Sequence, residues 1–154
     1  MSSDTPRPPA DPRYAERVRA SFERQPFMRT LGAAIVHLAP GEFAVELPFD
    51  AALTQQHGFL HGGAIASGLD VACGYAAFTL MPADSGVLTV EFKVNFLAPA
   101  RGERFRFDGR VRRAGRTVTF VEADARAVAD GRERTVATMQ ATMMTVLGRD
   151  DVRH

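Results

Sequence analysis

Between Thr54 and Asp70 the chain reads Thr54-Gln55-Gln56-His57-Gly58-Phe59-Leu60-His61-Gly62-Gly63 and then enters an apolar run. Asp70 is the only charged side chain between His61 and Asp84. A carboxylate in such surroundings must be paired, bound to water or raised in pKa, and a raised carboxylate is suited to act as general base or nucleophile. The same residue equally suits a capping contact across an interface between chains. Gly62 and Gly63 stand where the run turns helical. The first N–H groups of a helix have no internal partner and lie at its positive end, so close approach over glycine suits a carbonyl oxygen that gains charge. A Gly-Gly pair also serves as a plain loop-to-helix turn. His61 suits a structural hydrogen bond better than proton transfer, and His57 sits in a polar loop. Cys73, with no basic neighbour in sequence, reads as a small packed hydrophobe.

These residues need elements to position them. The run from Gly62 to about Leu80 is apolar on nearly every side, which marks a helix buried all round. Some 18 residues at about 1.5 Å rise give about 27 Å, enough to cross a small domain. Ala66, Ser67, Cys73, Gly74 and Ala77 keep the face around Asp70 shallow. Before this helix, a short amphipathic helix is predicted over Asp11–Gln25, with Phe27, Met28 and Leu31 as anchors. A hairpin over Ala33–Ala39 and Glu42–Pro48 turns at Pro40-Gly41. After it, four strands are predicted over Val87–Leu97, Glu103–Arg113, Thr117–Val128 and Glu133–Leu147. Their alternation and short glycine turns suggest an antiparallel meander. The fold class is therefore α+β, with one long central helix wrapped by a curved sheet of about six strands. One sheet cannot cover every face of that helix, so a partner chain is implied. Residues 1–12 are predicted to be a disordered arm, 13–147 a single domain and 148–154 a frayed tail.

Composition narrows the function. The chain has 154 residues, 45% hydrophobic and 24% charged, with net charge +1. That is globular, and it lacks the global basic field of a nucleic-acid binder. A single cysteine excludes an internal disulfide framework, and the four His show no zinc-ligand spacing, so no metal is expected. No signal peptide or membrane span is read, and a cytoplasmic location fits. The basic residues are 18 Arg and one Lys, with seven Arg between Arg101 and Arg116. Arg112, Arg113 and Arg116 flank a turn at Ala114-Gly115, where they either bind phosphates or form a solvated face.

The run His57-Gly58-Phe59-Leu60-His61-Gly62-Gly63 with Asp70 resembles the PaaI-like branch of the hotdog-fold acyl-CoA thioesterases. Val94-Asn95-Phe96-Leu97-Ala98-Pro99-Ala100 and Gly115-Arg116 are similar to the same family. The resemblance implies a helix "sausage" in a sheet "bun". It also implies a homodimer with continuous sheets, often a homotetramer as a dimer of dimers, and active sites at the dimer seam. Asp70 would match the catalytic carboxylate, acting on water or directly on the thioester. The Gly62 N–H would polarise the carbonyl, and His61 would help position the group. Gln55 would stand where many members carry Asn. Thr89 would supply a hydroxyl from the facing subunit. Gly63, Asn95, Arg112, Arg113 and Arg116 would contact substrate, the arginines near the CoA phosphates. The implied activity is hydrolysis of an aryl or medium- to long-chain acyl-CoA, with no cofactor beyond the CoA of the substrate. Two other functions share the fold: an enoyl-CoA hydratase or dehydratase, and a non-catalytic acyl-CoA-binding protein. Phe27, Met28, Phe59, Tyr75, Phe78 and Met81 are candidate pocket residues or ordinary core.

Overall fold

The computed structural model describes residues 8–152. Its elements are α1 (Tyr14–Glu23), α2 (Pro26–Thr30), β1 (Ala34–Ala39), β2 (Glu42–Pro48), α3 (Gly62–Phe78), β3 (Ser85–Phe96), β4 (Arg104–Ala114), β5 (Val118–Ala129) and β6 (Arg132–Leu147), with short 3-10 turns at Ala51–Leu53 and Asp150–Val152. The six strands form one antiparallel sheet in the order β1-β2-β4-β5-β6-β3.

Alternation dictates the sheet's inner face. Phe43, Val45 and Leu47 of β2 and Phe105 and Phe107 of β4 are fully buried, while the arginines between them on β4 face outward. α3 lies across this inner face and packs unusually close where side chains are missing. A Cβ built on Gly109 would sit 2.3 Å from the Ala72 carbonyl oxygen, and one on Gly68 would sit 2.7 Å from the Phe107 ring.

The predicted meander is corrected at one strand. β4, β5 and β6 follow one another, but β3 pairs with β6 at the far edge and not with β4. Sequence neighbours usually pair; here the chain crosses α3 first, so β3 returns on the other side of the sheet. Val90, Phe92 and Phe96 of this edge strand and Leu97 just beyond it are exposed. The helix buried all round is also corrected within one chain, because Ser67, Asp70 and Gly74 are only half-buried.

The expected arm is docked at its end. Residues 1–7 lie outside the described residues, but the Ala10 N–H donates to the Leu80 carbonyl and Asp11 is buried. Asp11 Oδ1 accepts from the Arg13 N–H at 2.9 Å, and Arg17 Nε meets Asp11 Oδ2 at 2.9 Å. Arg17 Nη2 donates to the Phe78 and Met81 carbonyls at 3.3 and 2.8 Å, with the guanidinium 4.0 Å from the Phe78 ring centroid. A cation thus meets the unpaired carbonyls and negative dipole end of α3. Part of the expected tail lies against β3, where a Cβ on Gly86 would strike the Val152 carbonyl oxygen at 1.7 Å; residues 153–154 lie outside the described residues.

Candidate active site

α3 carries two separate sets of candidate groups. The first is centred on Asp70. Thr89 Oγ1, on β3 of the same chain, donates to Asp70 Oδ1 at 2.8 Å. This corrects the expectation that Thr89 serves the acid of a facing subunit: β3 lies at the sheet edge beside the middle of its own α3. Burial pushes the Asp70 carboxyl above the usual carboxylate range, and the Thr89 hydrogen bond pulls partly back. Asp70 opens into a cleft of about 190 Å³. The α3 residues Ser67, Val71, Gly74 and Tyr75 form its floor, Val87 and Thr89 one wall, and Gln25, Phe27 and Met28 the other. Gln25 Nε2 donates to the Tyr75 hydroxyl at 2.7 Å, and that hydroxyl is 2.9 Å from Ser21 Oγ, so the α1–α2 corner is tied to α3 beside the cleft.

The second set lies at the start of α3. His61 is the N-cap, and its Nδ1 accepts from the Gly63 N–H at 2.8 Å. This takes the Gly63 amide out of play and fixes His61 as a structural acceptor, with its proton on Nε2. The Ala64 and Ile65 N–H groups reach the His61 carbonyl. Gly62 alone of this turn keeps an N–H with no acceptor among the described residues. It shares a groove with Gln55, Phe59, Ile65, Phe96 and Leu97. The loop before it is pinned by its own contacts: Gln55 Oε1 accepts from the His57 N–H, Gly58 adopts φ +82°, and Arg101 stacks over Phe59 at 5.0 Å. The Phe96 ring lies 3.2 Å from where a Gly62 Cβ would be. A side chain at position 62 would need that exposed ring to give way by a few tenths of an ångström.

Asp70 follows Gly62 by eight positions on a straight helix, so the two sets stand about 12 Å apart along its axis. The chain brings Asp70 to Thr89 and Gly62 to Gln55, but it does not bring the pairs together.

Other expected residues stand elsewhere. Asn95 pairs with Thr138, one position from the inward Phe96, and so faces away from α3. Arg112 Nε meets Glu122 Oε2 at 3.1 Å on the outer face, Arg113 sits at a bulge on β4, and Arg116 is exposed in the β4–β5 turn. That turn follows Val111, which abuts Gly41; the Gly41 N–H bonds Thr79 beyond the C-terminal end of α3. The arginines thus enter neither lining within one chain. Cys73 is buried with its thiol pushed up by desolvation and by Asp70 and Glu122. Phe78 and Met81 are core, Phe27, Met28 and Tyr75 border Asp70, and Phe59 borders Gly62. Sequence reading missed Gln25, whose only signal is its place before Pro26. Among the described residues no group of three His, Cys, Asp or Glu is placed to hold a metal ion, and no helix is long and apolar enough to cross a membrane.

Comparison with known proteins adds an independent line. Residues 57–133, half of the chain, match the family model described as Thioesterase superfamily. The crystal structure of a thioesterase family protein from Silicibacter pomeroyi is 58% identical, with a TM-score of 0.87 over 88% of this chain and 99% of that one. Human acyl-coenzyme A thioesterase 13 is 29% identical over 119 residues, covering 76% of this chain and 84% of that protein. A Saccharolobus solfataricus protein with a provisional esterase name is 39% identical over 94 residues, and the match spans 66% of its length. The Escherichia coli PaaI protein, at 20% identity and a TM-score of 0.76, shares the fold.

Proposed function

The chain belongs to the thioesterase superfamily and has the hotdog fold, and from that premise we propose that it hydrolyses an acyl-CoA to the free acid and CoA. The observation that carries this reading is the half-buried Asp70, raised in pKa, held by Thr89 and open to an apolar cleft. The named human relative supports CoA as the thiol.

The active site is completed by a second copy. A homodimer joined across the free edge of β3 covers the exposed Val90, Phe92 and Phe96 and continues the sheet. A two-fold axis there reverses the partner's α3, so the leading end of one helix comes beside the middle of the other. The Asp70–Thr89 pair of one protomer then faces Gly62 of the partner subunit and Gln55 of the partner subunit. Desolvation makes Asp70 a stronger base than a free carboxylate. It removes a proton from water as that water adds to the thioester carbonyl carbon. The Gly62 N–H stabilises the oxyanion. On collapse the C–S bond breaks, and Asp70 returns the proton to the departing CoA sulfur. Only protein groups and water take part. Any contact of Arg112, Arg113 and Arg116 with the CoA phosphates lies outside the cleft that holds Asp70.

The test is thiol release from a panel of aryl and straight-chain acyl-CoAs, run beside enoyl-CoA hydration. Hydrolysis is expected, with no hydration. Asp70→Asn is expected to lower kcat by about 10³-fold or more while CoA still binds, and near-normal turnover in that variant removes Asp70 from its role.

A further inference from the structure

We infer that Gly74 is the residue that makes room for the acyl group beside Asp70, so that a side chain at this position narrows the range of acyl groups admitted. The inference rests on the thioesterase reading of the Asp70 cleft and adds a residue that sets its selectivity.

Glycine inside a helix is destabilising relative to alanine. Two reasons commonly retain one, a close neighbour or a backbone conformation that other residues avoid. Gly68 has the first reason, with the Phe107 ring against it. Gly74 has neither. A Cβ built on it meets no heavy atom within 4 Å, and its φ is not among the positive values of the chain. What Gly74 does have is a position. It stands one helical turn after Asp70, on the same face, and forms the floor of the same cleft between Phe27 and Met28 of α2 and Val87 of β3. The walls there are apolar. The missing side chain is therefore space beside the reacting carboxylate. The cleft of about 190 Å³ in one chain already exceeds the cavity of about 150 Å³ that admits benzene in another protein, so the space over Gly74 holds at least a ring or short chain, and any side chain at position 74 takes from it.

The experiment compares wild type, Gly74→Ala, Gly74→Leu and Phe27→Ala. It measures kcat/KM on acetyl-, hexanoyl-, phenylacetyl- and lauroyl-CoA, with thermal melting and sedimentation as controls for folding and assembly. Gly74→Ala loses a few-fold and Gly74→Leu at least tenfold on hexanoyl- and phenylacetyl-CoA. Acetyl-CoA loses least, and melting is at or above that of wild type. Phe27→Ala, on the opposite wall, raises lauroyl-CoA relative to the others. Unchanged ratios among the four substrates in Gly74→Leu overturn the inference, whether overall activity is kept or lost. A Gly74→Leu protein that dissociates with a uniform loss assigns Gly74 to the interface and overturns it too. Wild type that releases thiol from none of the four overturns the thioesterase reading itself.

Discussion

The two halves of the proposed catalytic arrangement sit on the same helix and are built in opposite ways. At the start of α3 the reactive group is a backbone N–H, fixed in place by hydrogen bonds around it: His61 occupies the Gly63 amide, and Gln55 and His57 tie the preceding loop. At the middle of α3 the reactive group is a side chain, and its character comes from what surrounds it: burial raises Asp70, and one hydroxyl restrains that rise. An amide needs only aim, whereas a carboxylate needs an environment. That difference explains why the first set could lie in a tight, locally determined turn and the second had to lie where helix, edge strand and N-terminal helices meet.

The strongest way to break the comparison is to separate the two halves genetically. Asp70→Asn and Gly62→Pro each disable one half; proline removes the N–H at a helix position that tolerates it. Alone, Asp70→Asn is expected to lose about 10³-fold or more and Gly62→Pro about 10²-fold. Mixed after co-refolding, they are expected to recover about one quarter of wild-type activity, since half of random dimers are mixed and each mixed dimer has one intact site. No recovery on mixing sinks the shared site. A smaller effect sharpens the role of Thr89. Thr89→Val removes the donor that favours the charged carboxylate, so Asp70 rises further and the acid limb of the kcat/KM profile moves to higher pH. A limb that stays or moves down contradicts the assignment.

Stability gives a further contrast. The folded pKa of Asp70 lies above its unfolded value, so its contribution to stability is present at low pH and is lost as pH rises through the folded value. Asp70→Asn is therefore expected to melt at or above wild type at neutral pH, although it is inactive. His61→Ala is expected to do the reverse and lose about 1 kcal/mol with its cap, a drop of roughly 2–4 °C in melting temperature. If both variants melt alike at neutral pH, the two halves do not differ as described.

Much of this was legible in the residues. α3 was readable because its apolar run has a single charge and begins at His61-Gly62, and β4 to β6 because buried and exposed side chains alternate between glycine turns. The place of β3 was not, because strand order depends on pairing with β6 some fifty residues later, which no local pattern encodes. For the same reason Thr89 was assigned to the wrong subunit. α2 was missed although Pro26 stands at its first position, a usable signal. Asp70 was identified from charge in apolar surroundings. Gly62 was preferred to Gly63 through the family resemblance alone; that the His61 ring occupies the Gly63 amide needed coordinates.

Arg17 fastens α1 to the trailing end of α3, more than sixty positions away in sequence, and α1 leads directly into the segment that overhangs Asp70. A deletion that reaches past this arginine therefore does more than shorten a terminus. It unhooks one wall of the cleft at Asp70 and uncovers the buried Val18 and Phe22, so a chain trimmed past Arg17 should lose the shape of that cleft together with part of its stability.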